Sequence, residues 1–346
     1  MPRRNRAEPM PVKHWSAAGI LLSYWCNARC ASCYANCGPD RTCWIDPDLA
    51  LAAWDGLIAA SPHGCRVHLT GGEPFGNWPL LIDIARRAHA AGLCPLEKVE
   101  TNASWASDDA LVRRRIEALD AAGMRKLSIS VDPYHQQFVP IALPRRAARL
   151  AEQVLGPRRV QVRWRDWLRD GFDTADLAPD ERGRVFAAYA RRRRDRLNGR
   201  AAEMLSDYLP GKSPEDLADE TCREPLLRSR HVHVDPAGWV SPGVCAGIVV
   251  GRIGPETPGQ IWRRLDEDHR RRPVVATLAR GGPVALLDEA RCAGFRPSDR
   301  YASKCGLCWD VRAFWARRGG YVGHVGPAGL YRAAGAEAAA SAPGRD

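Results

Sequence analysis

Four cysteines lie within twelve residues near the start of the chain, a density that indicates metal or redox chemistry. Cys26, Cys30 and Cys33 are separated by three and then two residues, Tyr34 follows, and Cys37 ends the run. Thiolates spaced this closely on a loop can each reach a different iron of an iron–sulfur cluster. Zinc ligands more often form two pairs tens of residues apart, and cytosolic thiols are kept reduced. The spacing therefore favours an iron–sulfur cluster over zinc or disulfides.

The role of Cys37 is open at this point. With it, the run approaches the bacterial ferredoxin pattern, which has two residues in its first gap and Pro after its last cysteine. Here the first gap has three residues and Gly38 follows. Cys43 lies close by and has no assigned partner either.

A second motif, Gly71-Gly72-Glu73-Pro74, follows a run of residues that predicts a strand. Two glycines allow the backbone to approach a ligand closely, and Glu73 offers a carboxylate to a ligand amine. The alternative interpretation is an ordinary turn between a strand and a helix. The motif is weak alone and specific together with the cysteine run.

Together the two motifs resemble the radical S-adenosylmethionine (radical SAM) superfamily, over residues 15–200. Its signature is CxxxCxxC with an aromatic residue, then GGEP after the second strand of a partial (β/α)6 barrel. The resemblance implies that Cys26, Cys30 and Cys33 bind three irons of a 4Fe–4S cluster. The fourth iron is then open to chelate S-adenosylmethionine, whose reductive cleavage gives a 5′-deoxyadenosyl radical that abstracts hydrogen from a substrate.

The resemblance also implies a set of residues around S-adenosylmethionine. The GGEP stretch receives its amino group, and Arg163 is a candidate for its carboxylate. Tyr134 and His135, at the end of the fourth predicted strand, are candidates for returning a hydrogen or proton to the substrate. The alternative for the sites outside GGEP is ordinary polar filling of a barrel. The predicted cofactor-binding residues are Tyr34, Gly71, Gly72, Glu73, Pro74, Asn102, Ser130 and Arg163.

A second group of cysteines, Cys222, Cys245, Cys305 and Cys308, brackets a predicted hairpin and ends in a CxxC. It resembles the auxiliary-cluster extensions called SPASM and Twitch. Since no cysteine follows Cys308, one auxiliary 4Fe–4S cluster is the most that can form, and Twitch is the better match. The gap from the hairpin glycine, Gly238, to Cys245 is longer than usual, and structural zinc is the rival interpretation.

The elements that must position these motifs alternate between strands and helices, which predicts βα units and a parallel sheet closed or partly closed as a barrel. Chemistry in such folds gathers at the carboxyl ends of the strands, where the cysteine run begins. The predicted strands span residues 19–24, 66–70, 98–101, 126–131 and 160–164. The predicted helices span residues 47–60, 78–91, 107–122 and 144–155, with Ser107 as an N-cap, and later helices lie around 260–271 and 283–293.

The domain prediction has four parts. Residues 1–15 form a basic arm, and residues 16–200 form a radical SAM core. Residues 201–332 form a Twitch-like α+β domain with a β-hairpin, and residues 333–346 form a disordered tail. The chain has 346 residues, is 45% hydrophobic and 26% charged, and has no apolar run long enough to span a bilayer. Without a secretory signal, a cytoplasmic location is expected.

The formal net charge of +11 comes mainly from arginine. A basic balance alone does not identify a partner, and the aromatic and basic interleaving of a single-strand platform is absent from the sequence. Neither nucleic acid nor a membrane is therefore expected as a partner. His231 and His233 alternate on one predicted strand, and a hairpin face is preferred there over metal binding.

The function predicted is hydrogen abstraction from a small polar metabolite such as a sugar, cyclitol or nucleoside. An auxiliary cluster whose irons are all bound by cysteine has no position for a substrate. Its expected role is to accept an electron from the substrate radical, which favours net oxidation or decarboxylation. The reductant would be flavodoxin or ferredoxin. The alternatives are a peptide-modifying radical SAM enzyme, an RNA-modifying enzyme, and a non-catalytic zinc- or iron–sulfur-binding protein.

Overall fold

The fold was analysed in a computed structural model, which describes residues 11–93, 95–193, 197–243 and 245–331. The predicted tail, residues 333–346, and most of the predicted basic arm lie outside the described residues. The arm residues Val12 and Trp15 are described, and both are buried.

One sheet, eight-stranded within the described residues, runs through the chain in the order β5-β4-β3-β2-β1-β6-β7-β8. Strands β1 to β6 pair in parallel, and β7 and β8 are antiparallel to their neighbours. The strands are β1 Ala17–Leu21, β2 Arg66–Thr70, β3 Leu96–Thr101, β4 Leu127–Ile129, β5 Val160–Val162, β6 His231–Val234, β7 Trp239–Pro242 and β8 Gly251–Arg252. All five predicted strands are present, and the second has the predicted bounds.

The helices follow the strands of the first half and then dominate the second. Their bounds are α1 Pro47–Ala59, α2 Trp78–Ala90, α3 Asp109–Ala121, α4 Ala142–Leu155, α5 Arg165–Asp170, α6 Pro179–Arg193, α7 Arg200–Met204, α8 Arg223–Leu227, α9 Pro258–Asp268, α10 Pro273–Cys292 and α11 Lys304–Arg317. None of the helices in the described part of the chain is both long and apolar enough to cross a membrane.

Capping residues explain where two of these helices begin. The Asp46 side chain accepts the backbone N–H of Asp48 at 2.8 Å, and Pro47 occupies the first turn of α1. The prediction of Ser107 as the N-cap of α3 is wrong. The carboxylate of Asp108 accepts the N–H of Leu111 at 2.9 Å, so the N-cap is one residue later than predicted.

Gly282 and Pro283 divide α10. Gly282 has a φ of 66° and lies outside helical geometry, so two helical segments meet there. The second segment begins where a helix was predicted, whereas the first, from Pro273, was not predicted.

The sheet has an apolar face and a polar face. Ile20, Leu69 and Val99 are fully buried in the main core with side chains of α1 to α4. Side chains alternate along a strand, so His68 and Thr70 lie on the opposite, polar face of β2.

The hairpin of β6 and β7 extends the same sheet. β6 lies parallel to β1, with Ala17 paired to His231 and Ile20 paired to Val234. In the described residues, the sixth parallel strand thus neighbours β1 and not β5. The predicted Twitch-like segment is therefore joined to the core by backbone hydrogen bonds as well as by chain connectivity.

Candidate active site

The cysteine loop begins directly after β1 and is closed by backbone hydrogen bonds. The N–H of Cys26 donates to the carbonyl of Gly38 at 3.1 Å, and the N–H of Gly38 donates to the carbonyl of Tyr24 at 3.1 Å. These two bonds fix both ends of the loop that carries Cys30 and Cys33.

The Gly-Gly turn after β2 is packed against the start of this loop. The N–H of Gly72 donates to the carbonyl of Ser23 at 2.8 Å, and that of Glu73 donates to the carbonyl of Trp25 at 2.9 Å. A Cβ on Gly72 would lie 1.6 Å from the carbonyl oxygen of Trp25, and Gly71 has a φ of +130°. The glycines are thus required first by backbone packing against the cysteine loop, a role that the sequence interpretation did not include.

Glu73 is committed to the protein itself. Its carboxylate accepts the N–H of Phe75 at 3.1 Å, the hydroxyl of Thr101 at 2.8 Å and the N–H of Asn102 at 2.6 Å. Burial raises the pKa of Glu73 to about 7, against the effect of these donors. The carboxylate therefore fixes the end of β3 and the turn together. Its contact with a ligand amine stays a prediction.

A cavity of about 120 Å³ lies at the carboxyl ends of the strands. It brings together the three predicted iron ligands and most of the predicted cofactor-binding residues. Glu73 and Pro74 of that prediction do not line it. The predicted site residues that do are Cys26, Cys30, Cys33, Tyr34, Gly71, Gly72, Asn102, Ser130, His135 and Arg163.

The thiol of Cys33 is held in a setting that favours its thiolate. A hydrogen bond with the Cys37 side chain and the charge of Arg200 lower the pKa of Cys33 to about 5, against burial. The backbone N–H of Cys37 also donates to the Cys33 Sγ at 3.3 Å. Cys37 is therefore a buried neighbour of Cys33 and lines the same cavity, whereas Cys43 is exposed.

Arg200 anchors the far side of the loop and was not found from the sequence. Its buried guanidinium donates to the carbonyls of Cys30 at 3.2 Å and Cys37 at 2.7 Å. The backbone N–H of Arg200 donates to the carbonyl of Cys33 at 2.9 Å. A Cβ on the preceding Gly199 would lie 2.4 Å from the Tyr34 carbonyl oxygen. No local signal identifies an arginine that lies 170 residues from its partner.

The two predicted catalytic residues, Tyr134 and His135, have different surroundings in the structure. His135 lines the cavity, and its Nδ1 lies 2.8 Å from the carboxylate of Asp132. Burial opposes its charge, but Asp132 and the thiol of Cys30 raise the pKa of His135 well above its usual value. Tyr134 does not line the cavity. Its ring is fully buried, and its hydroxyl donates a hydrogen bond to the carbonyl of Phe186 at 3.3 Å. This position does not support a contact with substrate.

The donor set of the first cavity fits an iron–sulfur cluster. Cys26, Cys30 and Cys33 all line the space, and three thiolates are the donor set that such a cluster takes. The amide of Asn102 donates to the Cys26 Sγ at 3.6 Å, a contact of the kind that tunes cluster thiolates. Glycine backbone and the polar groups of Ser130 and Arg163 also line the cavity.

The second group of cysteines lines a larger cavity, of about 620 Å³. Buried Arg312 donates to the Cys308 Sγ at 3.3 Å, to the carbonyl of Ala246 at 2.8 Å and to the Asn198 side chain at 3.0 Å. Its charge offsets the burial of thiolates, which fits a thiolate-ligated centre. The cysteines at this cavity are the four predicted ones, Cys222, Cys245, Cys305 and Cys308.

Comparison with known proteins gives matches in structure only. No family model matches the chain, and no curated protein matches it. It is similar to the crystal structure of BtrN in complex with AdoMet and 2-DOIA, at 18% identity over 79% of this chain and 90% of that chain, with a TM-score of 0.43.

Two other similar structures are native anSMEcpe with bound AdoMet and Streptococcus suis SuiB bound to S-adenosylmethionine. The first is 13% identical over 87% of this chain and 97% of that chain, with a TM-score of 0.41. The second is 13% identical over 79% of this chain and 74% of that chain, with a TM-score of 0.44. At such scores the likeness carries no argument about activity, so the functional assignment depends on the residues of the site.

Proposed function

We propose that this chain is a radical SAM enzyme that oxidises a small polar metabolite. The observation that carries the proposal is the first cavity, where three closely spaced cysteines face the carboxyl ends of β2 to β5. A 4Fe–4S cluster held by Cys26, Cys30 and Cys33 would supply an electron to cleave S-adenosylmethionine and so provide the radical for hydrogen abstraction. The reductant would be flavodoxin or ferredoxin.

The protein's own groups would bind and orient the ligands. The Arg163 guanidinium would hold the carboxylate of S-adenosylmethionine; Arg163, Tyr34 and Ser130 all line the cavity. The backbone of Gly71 and Gly72, rather than the Glu73 carboxylate, forms the adjoining wall. His135, oriented by Asp132, would hold or move a proton beside Cys30.

The polar face of the sheet supports a small polar substrate. Thr70, Glu100 and Ser130 line the cavity, and Lys98 forms an ion pair with Glu100 at 2.5 Å. Groups of this kind recognise hydroxyls and charged substituents. The four cysteines of the second cavity would hold an auxiliary 4Fe–4S cluster with no position left for substrate, which favours net oxidation as the reaction class.

The test is S-adenosylmethionine cleavage by the full chain after anaerobic reconstitution with iron and sulfide. With dithionite as reductant we expect 5′-deoxyadenosine, measured by mass spectrometry, and roughly eight irons per chain. Replacing Cys26, Cys30 and Cys33 together by Ala should abolish the product and remove about half of the iron.

The matched control is Cys292→Ala, since Cys292 is exposed and lies at the end of α10. This variant should keep both the iron and the product. Absence of 5′-deoxyadenosine from fully reconstituted protein would overturn the proposal. Zinc in place of iron at the second cavity would remove the argument for oxidation and leave the cleavage reaction standing.

A further inference from the structure

Three histidines converge on the polar face of the sheet where β2, β1 and β6 lie side by side. Within the described residues, His68, His231 and His233 are the one set of potential metal ligands whose nitrogen atoms all lie within 4.8 Å of one another. We propose that they form a mononuclear site for a divalent transition metal, separate from both groups of cysteines.

The strand register builds this site. Gly19 of β1 is paired with His68 on one side and with His233 on the other. A Cβ on Gly19 would lie 2.4 Å from the His233 ring and 2.7 Å from the Nε2 of His68. Only glycine at this position leaves room for imidazoles from both neighbouring strands, which explains a glycine in the middle of a buried strand.

The histidines are in the form that binds metals. A neutral imidazole is the metal-binding form, and burial disfavours the charged form of an imidazole. The Nδ1 of His233 lies 2.6 Å from the carbonyl oxygen of Gly243. A carbonyl only accepts hydrogen bonds, so the proton is on Nδ1. The Nε2 lone pair accepts the Tyr34 hydroxyl at 3.3 Å and would exchange that hydrogen bond for the metal.

The donor set limits the choice of metal. Three imidazoles suit zinc, iron, cobalt or nickel, whereas magnesium and calcium prefer oxygen ligands. Around zinc, ligand nitrogens at about 2.0 Å from a tetrahedral metal are roughly 3.3 Å apart. From separations within 4.8 Å, each pair of nitrogens has to close by at most about 1.5 Å. On the neighbouring strand β3, the carboxylate of Glu100 forms an ion pair with Lys98 at 2.5 Å.

The position of the site gives it a possible use beyond structure. The His233 Nε2 lies 3.3 Å from the hydroxyl of Tyr34, which lines the first cysteine cavity, and His231 lines the second. Three protein ligands leave a fourth position for water or for an oxygen of a substrate. This use as a substrate anchor depends on the proposed function, whereas metal binding itself does not.

The experiment uses zinc and the full chain with its cysteine centres already reconstituted, so that free thiols do not compete. After zinc addition and gel filtration we expect one equivalent of zinc per chain. The zinc K-edge absorption spectrum should show nitrogen or oxygen neighbours at about 2.0 Å and imidazole scattering, without sulfur at about 2.3 Å.

Replacing His68, His231 and His233 together by Gln should remove the bound zinc and leave iron and sulfide unchanged. Should that variant not fold, His231→Gln alone, at a half-buried position, is expected to weaken zinc binding about 100-fold or more, since loss of even an outer-shell partner costs about 10–100-fold. The matched control replaces His63 and His89, both exposed, and should bind zinc as the parent does.

Three results would overturn the proposal: failure to retain zinc, sulfur neighbours in the spectrum, or unchanged binding by a folded histidine variant. All are independent of S-adenosylmethionine cleavage. A chain that cleaves S-adenosylmethionine but retains no zinc would refute the metal site and leave the proposed function intact. A chain that binds zinc through imidazoles but does not cleave S-adenosylmethionine would refute the proposed function and leave the metal site intact.

Discussion

The two cysteine sites differ in how the chain builds them. The first takes its cysteines from a single loop after β1, whereas the second gathers Cys222, Cys245 and the pair on α11 from three separate segments. Backbone hydrogen bonds close the first loop, so its geometry is set locally. The second depends on packing between distant parts of the chain.

Each site also has a buried arginine, used differently. Arg200 donates to carbonyl oxygens of the first loop, whereas Arg312 contacts a cysteine sulfur directly, 3.3 Å from the Cys308 Sγ. The first arginine positions backbone, and the second donates a hydrogen bond to a buried cysteine sulfur. The comparison indicates that the first site is held through the backbone of its loop and the second through a cysteine side chain.

Single cysteine replacements should separate the sites most strongly. Cys30→Ala is expected to reduce S-adenosylmethionine cleavage by about four orders of magnitude or more, the scale seen when one member of a cooperating set is removed. Cys305→Ala should lose about four irons and still form 5′-deoxyadenosine without added substrate. Iron analysis and product measurement on both variants test this. Equal loss of cleavage in both would mean that the sites act as one.

Glycine replacement tests the local construction of the first site. Gly71→Ala should destabilise the chain by about 3 kcal/mol, because its Cβ would lie 2.6 Å from the carbonyl oxygen of Ser23. Gly64→Ala is the matched control, since Gly64 also has a positive φ, +74°, but open space around it; it should cost about 1 kcal/mol. Urea unfolding of the cluster-free chain measures both. Equal costs would show that backbone strain, and not contact with the loop, explains the glycine.

The contact between the first loop and the hairpin should depend on pH. Burial raises the pKa of Asp235 to about 6, although Trp239, Ala237 and Tyr24 donate hydrogen bonds to it. In the unfolded chain this carboxyl ionises near about pH 3.9. The folded state therefore binds the proton more tightly, and its stability relative to Asp235→Asn should fall by about 2 kcal/mol as pH rises from about 4 to about 7. Unfolding free energies at both pH values measure the change; a constant difference would contradict it.

Local patterns predicted much of the fold and the first site. Strand β2 has the bounds predicted from its short β-rich run, and Cys26, Cys30 and Cys33 line one cavity, as their spacing predicted. These features depend on residues close together in sequence. Alternation of strands and helices likewise predicted a parallel sheet, and β1 to β5 pair in parallel.

Features that depend on distant contacts were not predictable. Nothing in the sequence gives the pairing of β1 with β6, which brings His68 beside His231 and His233. The three hydrogen bonds that Glu73 accepts from its own turn and from the end of β3 were not predictable either. Register and hydrogen-bond competition are properties of the packed chain, so patterns of residue type do not specify them.

Cys37 gives the smallest expected effect and the sharpest test of the open first site. Its backbone N–H, which any residue other than proline supplies, donates to the Cys33 Sγ at 3.3 Å. Cys37→Ala should therefore keep about four irons at the first site and cleave S-adenosylmethionine within about threefold of the parent, whereas Cys33→Ala should lose both. Iron content and 5′-deoxyadenosine are measured in each. Loss of iron from Cys37→Ala would make Cys37 a fourth ligand, and a cluster closed by four thiolates has no iron free for S-adenosylmethionine.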